Sequence, residues 1–136
     1  DVAAASVLLA RPFVYRSRVV RGDQRGRLLG YPTANLFSNE QVVPKNGIYA
    51  ARVKVLGAEY QAAVSIGTRP TFDGQGVKIE AHLLDFSGPQ LYGEMIEVAF
   101  VERIRDELKF SGVQELCVHI EQDIATTRRI LAGPLQ

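Results

Sequence analysis

The sequence predicts a mainly β domain, an antiparallel sheet of five or six strands closed into a small barrel, with one α-helix at the C-terminal end. Three observations point there. Segments in which apolar and polar residues alternate, or β-branched and aromatic residues cluster, recur between Phe13 and Val101 with no helical pattern among them. Glycine- and proline-rich turns separate those segments. One apolar stripe with helical spacing follows, over 113–131.

In chain order, residues 1–10 (DVAAASVLLA) favour a helix through their Ala and Leu content, and Arg11-Pro12 ends it. The expected division is therefore a linker helix over 1–11 and a domain over 12–136. Phe13 to Val20 is rich in β-branched and aromatic residues and reads as a strand. From Tyr49 to Leu56 the pattern alternates, with Tyr49, Ala51, Val53 and Val55 on one face and Arg52 and Lys54 on the other. Gly57-Ala58-Glu59 turns the chain into Tyr60 to Ile66, making a hairpin. Residues 67–76 read as a turn-rich connection. Val77 to Leu84 alternates again, with Val77, Ile79, Ala81 and Leu83 opposite Lys78, Glu80 and His82. Gly88-Pro89 breaks the chain before a last strand from Met95 to Val101.

The helix opens at Ser111, whose spacing to Gln114 fits a capping box. Val113, Leu116, Cys117, Ile120, Ile124 and Leu131 form its stripe, Arg128 and Arg129 suit its C-terminal dipole, and Gly133-Pro134 ends it. The stripe faces the barrel and makes Cys117 a core residue.

Composition bounds the function. At 136 residues, 46% hydrophobic and 23% charged, the chain is one globular domain and not a disordered segment. Sixteen basic against fifteen acidic residues leave a charge of +1, which excludes an electrostatic grip on nucleic acid. A single cysteine, Cys117, excludes an internal disulfide and a multi-cysteine zinc site, and fits a cytoplasmic protein. The longest apolar run, Val2 to Ala10, is interrupted by Ser6 and too short to cross a membrane. With Asp1 in the first position and no basic segment before the apolar residues, the expectation is a piece of a longer chain without a secretory signal.

Three segments carry possible chemistry. In Gly22-Asp23-Gln24-Arg25-Gly26-Arg27-Leu28-Leu29-Gly30, glycines at four-residue intervals let backbone N–H groups approach an anion, and arginines add donors matched to phosphate. Pro32 then fixes the chain, and Thr33 and Asn35 offer neutral oxygens on one side of an extended backbone, a pair suited to Mg²⁺ when phosphates and water complete its shell. The composition alone favours a plain connection between two strands, with Thr33 and Asn35 as turn residues. Glu80 stands mid-strand, where glutamate is disfavoured, and there a carboxylate serves either as a general base or as a solvent-facing side chain. Arg103 to Phe110 combines cations with an aromatic ring, as a phosphate or ring-binding loop does and as a charged surface loop does. A P-loop, a complete dinucleotide fingerprint and a G-x-S-x-G elbow are all missing from the sequence.

The run from Val20-Arg21-Gly22 to Gly30-Tyr31-Pro32-Thr33-Ala34-Asn35 resembles the glycine-rich loop and P-T-A-N motif of riboflavin kinases. The resemblance continues in family order through Gly47-Ile48-Tyr49-Ala50, Ser65 to Phe72, Ile79-Glu80-Ala81-His82, Leu91-Tyr92-Gly93-Glu94 and Arg105 to Phe110. It implies a six-stranded, Greek-key-like antiparallel barrel with a C-terminal helix. The implied activity moves the γ-phosphate of ATP to the 5′-hydroxyl of riboflavin, giving FMN and ADP. By motif, Gly22, Gly26, Arg27 and Gly30 would shape the nucleotide-phosphate loop, Thr33 and Asn35 would hold Mg²⁺ and the phosphates, and Glu80 would be the base. Arg105 and Phe110 would belong to a flap on the flavin. Residues 1–13 resemble the connector that joins an N-terminal adenylyltransferase module to this kinase module in bifunctional FAD synthetases. The competing expectation is a flavin- or nucleotide-binding regulatory module without turnover, and riboflavin dependence on nucleotide and Mg²⁺ rather than on salt separates either from a nucleic-acid-binding barrel.

Overall fold

The structure, a computed structural model, describes residues 13–20, 32–36, 44–71 and 74–132. Six strands, β1 (Phe13–Val20), β2 (Ala34–Leu36), β3 (Gly47–Val55), β4 (Ala58–Thr71), β5 (Gly74–Leu83) and β6 (Met95–Arg105), precede one helix, α1 (Val113–Leu131). The strands close into a barrel in the order β1-β2-β5-β4-β3-β6, and every pairing is antiparallel. The expected linker helix over 1–11, the glycine-rich segment with Gly22, Gly26, Arg27 and Gly30, and the helix stop at Gly133-Pro134 lie outside the described residues.

Alternation sets which side chains fill the barrel. Tyr49, Ala51, Val53 and Val55 of β3, Ala62, Val64 and Ile66 of β4, and Ile79, Ala81 and Leu83 of β5 are buried in one core with Tyr15, Ile96, Val98 and Phe100. Phe100 packs edge-on against Tyr49, ring centres 5.2 Å apart, the arrangement the aromatic quadrupole favours. The intervening residues face outward, so Asn35, Glu80 and Ser65, paired across β2, β5 and β4, share the outer surface.

Several boundaries differ from the sequence reading, each for a physical reason. The β3–β4 turn is the pair Leu56-Gly57, both with positive φ (54° and 76°), because a two-residue turn of that hand matches the twist of the strands. Residues 67–71 are not a turn but the end of β4, paired residue by residue with 74–78. The three-residue β2 carries too short a pattern to be read as a strand. β6 runs to Arg105, past Val101, because two bulges opposite Ile48–Ala51 let a longer strand follow β3.

Helix α1 lies across the outside of β3, β4 and β6. Ala50 faces outward yet is fully buried, and it pairs with Ala63, so small side chains allow the close approach. The capping box is not formed: Gly112 is the N-cap without a side-chain bond, and Ser111 Oγ donates to Glu115 at 2.6 Å instead. Only Leu131 of the apolar stripe is buried, Val113 is exposed, and Leu116, Cys117, Ile120 and Ile124 are half-covered. The half-covered part is where the helix bridges a cleft.

Candidate active site

Among the described residues, one cleft on the outer barrel surface and another bordered by core residues such as Val19, Ala34, Ala81 and Leu83 share one residue, Thr33. The larger, about 410 Å³, lies between β4, β5 and α1 and is lined by residues including Ala63, Ser65, Glu80, Arg105, Phe110 and Ile120. The smaller, about 270 Å³, is lined by Val20, Pro32, Thr33, Asn35, Phe86 and Tyr92 among others. Thr33 precedes β2, and the Asn35–Glu80 register brings it beside β5. Its Oγ1 donates to Glu80 Oε2 at 3.1 Å. The other carboxylate oxygen of Glu80 lies 3.4 Å from Lys78 Nζ, and side-chain exposures of 28% and 23% keep this pair half-sheltered in the cleft. His82 Nδ1 contacts the Pro32 carbonyl at 2.9 Å, tying the P-T-A-N segment to β5 one pair further along.

The structure thus gathers three of the residues singled out in the sequence, Thr33, Asn35 and Glu80, at the meeting of the clefts. Thr33 directs its proton to Glu80, which leaves its oxygen lone pairs available, and Asn35 carries a second neutral oxygen nearby in sequence and strand. Hard oxygen donors of this kind suit Mg²⁺ completed by phosphates and water. Among the described residues, no group of three or more His, Cys, Asp or Glu is arranged to hold a metal.

Arg105 and Phe110 both line the larger cleft. Arg105 ends β6, not a loop, and its guanidinium makes a fork to Asp123 of α1, at 2.9 Å (Nε to Oδ1) and 2.7 Å (Nη2 to Oδ2). It lies 6.0 Å from the centre of the Phe110 ring, within cation–π range, and Phe110 also contacts the His119 ring at 5.0 Å. Asp123 was not singled out in the sequence. Its signal was a carboxylate one position off the apolar stripe, in line with Ile120 and Ile124. Arg103, between the bulges, donates to the Asn46 carbonyl at 2.7 Å and to Asp106 at 2.6 Å, and that hydrogen bond holds the Asp106 carboxyl below its usual value.

A family model for flavokinases (riboflavin kinase) matches residues 9–131. The chain belongs to the riboflavin kinase family. Phosphorylation of riboflavin to FMN is accordingly the reaction class this riboflavin kinase domain has to serve. The chain is 40% identical over 129 residues to the bifunctional riboflavin kinase/FMN adenylyltransferase of Haemophilus influenzae, covering 94% of the chain and 42% of that protein. Its fold matches a riboflavin kinase crystal structure from Trypanosoma brucei with a TM-score of 0.68 at 30% identity, over 90% of this chain and 82% of that one. It also matches a Streptococcus pneumoniae crystal structure named as a macrolide-efflux protein, with a TM-score of 0.88 at 38% identity, over 93% of this chain and 42% of that one. Among the described residues, no helix is long and apolar enough to cross a membrane. The chain spans about two fifths of the length of the curated relatives it matches.

Proposed function

We propose that this riboflavin kinase domain transfers the γ-phosphate of ATP to the 5′-hydroxyl of riboflavin, with Glu80 as general base. One observation carries the reading: Thr33 joins two clefts, and Glu80 touches it at the seam. The larger cleft, with an apolar wall from α1 and the Phe110 ring, suits a flat flavin, and its volume falls in the range of small-molecule sites. The smaller cleft suits the nucleotide, whose phosphates would then reach Thr33 and Asn35 and be wrapped by Gly22, Gly26, Arg27 and Gly30. Mg²⁺, held by Thr33 and Asn35 together with the phosphates, would neutralise charge on the transferred group. Arg105 and Phe110 would border the flavin.

In the step itself, a bond forms between the ribityl 5′-oxygen and the γ-phosphorus while the bond from that phosphorus to the β–γ bridging oxygen breaks. ADP leaves, and the hydroxyl proton passes to Glu80. Phosphoryl transfer asks the protein mainly for positioning and charge neutralisation, which this seam supplies. In the full-length protein, an N-terminal adenylyltransferase module reached through residues 1–11 would convert the FMN further, and a cytoplasmic location would give both modules ATP.

The test is chromatographic detection of FMN after incubation with riboflavin, ATP and Mg²⁺. Wild type should form FMN, and Glu80→Gln should lose about 10²–10⁴-fold in turnover while keeping its fold, the usual contribution of one positioned base. Near-normal turnover by the variant would sink the base assignment. Riboflavin binding with no FMN from the wild type would make this a binding module instead.

A further inference from the structure

We propose that Lys78 is a positioning residue for this reaction, acting through Glu80; the inference rests on the reading of Glu80 as the base. Lys78 and Glu80 are two apart on β5, so both side chains leave the outer face of the barrel in the same direction. The ammonium lies 3.4 Å from Glu80 Oε1, while the Thr33 hydroxyl holds Oε2 at 3.1 Å. The carboxylate is therefore gripped from two sides, by β5 itself and by the segment ahead of β2. A glutamate side chain has rotamer freedom to lose, and a base must present one lone pair to a hydroxyl at hydrogen-bond distance. Each carboxylate oxygen offers two acceptor sites, so after Thr33 and Lys78 are accommodated one site on each oxygen remains for another donor.

The placement of Lys78 separates this role from phosphate binding. Lys78 lines only the larger cleft, Asn35 only the smaller one, and Thr33 stands between them in both. Its ammonium lies against the oxygen of Glu80 that Thr33 does not hold, on the side of the carboxylate away from the seam. Other charged or titratable groups on this cleft are His82 of β5, Arg105 of β6, Glu107 beyond it and Asp123 of α1. Of these, Arg105 and Asp123 are engaged with each other and His82 with the Pro32 carbonyl. Lys78 is thus the cation that contacts Glu80, and it reaches the carboxylate from the same strand.

The experiment measures steady-state FMN formation for wild type, Lys78→Met, Lys78→Arg, Glu80→Gln and the Lys78→Met/Glu80→Gln double variant, each with titrations of riboflavin and ATP. Lys78→Met should lower kcat about tenfold to a hundredfold, as small misplacements of a reacting group do, with both KM values within about twofold. Lys78→Arg, which keeps a cation on a long stem, should recover most of that loss. The double variant should be no slower than Glu80→Gln, because the lysine has nothing left to position. Unchanged kcat in Lys78→Met beside a large loss in Glu80→Gln overturns the role of Lys78 and leaves the base standing. A raised KM for ATP in Lys78→Met, or additive losses in the double variant, overturns it as well, since either makes Lys78 a ligand of the nucleotide or an independent contributor. Normal turnover in Glu80→Gln brings down the base and the positioning role together.

Discussion

Replacing Asp123 by Ala should destabilise the domain by about 2–3 kcal/mol, because the Arg105–Asp123 fork is what fastens α1 to β6 beside the cleft. The magnitude comes from the geometry. The pair is bidentate at 2.9 and 2.7 Å, and the side chains are 21% and 10% exposed. Surface pairs are worth about 0–1 kcal/mol, and removing one partner of a fully buried pair costs about 3–5 kcal/mol. This pair lies between those limits and nearer the buried one, since Asp123 is almost enclosed while Arg105 keeps an edge to water and a second bond to the Asp106 carbonyl at 2.9 Å. In a domain of 136 residues, such a loss lowers Tm by roughly 6–12 °C. Thermal unfolding followed by circular dichroism measures it, with Arg128→Ala as control, since Arg128 forks to Asp85 at 2.9 and 3.1 Å but on the open surface. Arg105→Lys should fall near Asp123→Ala, because an ammonium cannot make the planar fork. A Tm for Asp123→Ala no lower than that of the Arg128→Ala control would refute the reasoning, and with it the claim that sheltering, not ion-pair geometry alone, sets the strength of this contact.

Gly47→Ala should cost about 1–3 kcal/mol in chemical denaturation, because a Cβ there would meet Arg103 Nε at 2.7 Å and the Arg105 backbone carbonyl at 2.9 Å, and backbone cannot step aside. The hydrogen bond from Arg128, reinforced by its charge, holds the Asp85 carboxyl below its ordinary 3.8. A lowered carboxyl stabilises the fold above that ordinary value and ceases to as pH falls through the folded one, so wild type should exceed Asp85→Asn in stability at neutral pH and converge with it in acid; a gap that widens below pH 3.8 would reverse the sign.

The barrel was legible in the sequence because β3 and β5 alternate core residues with polar ones on the outer face, which imposes a period of two on Tyr49 to Val55 and Val77 to Leu83. Where that period breaks, reading failed. Ala34–Leu36 is buried at all three positions and shows no alternation. The bulges in β6 hid the last strand residues, since after Phe100 they turn Glu102 and Arg103 against the regular alternation. The helix stripe was read correctly as apolar but not as half-open, because the sequence has no way to mark that part of a stripe roofs a cleft instead of filling a core. Glu80 was found because a glutamate is out of place in mid-strand, and Thr33 and Asn35 because they offer neutral oxygens two residues apart just after Pro32, whereas Asp123 and Lys78 look like ordinary charges until the fold brings them to their partners.

That distinction has a physical basis in how the site is built. Chemistry on the outer face of a closed barrel needs a wall, since the barrel interior is already filled by Tyr15, Tyr49 and Phe100. Helix α1 supplies the wall for the larger cleft, and it is held off the sheet at the cleft while Arg105–Asp123 at one side and Arg52, donating to the Leu131 carbonyl at 3.3 Å, at its end draw it in. Ala63 and Ser65 keep the floor low, and a larger residue at either position would fill the space that the flavin is proposed to take. The cleft therefore depends as much on small residues under the helix as on the charged ones around Glu80. Its shape follows from a helix anchored at points around a gap, with β2 pairing to β5 so that Thr33 closes the remaining side.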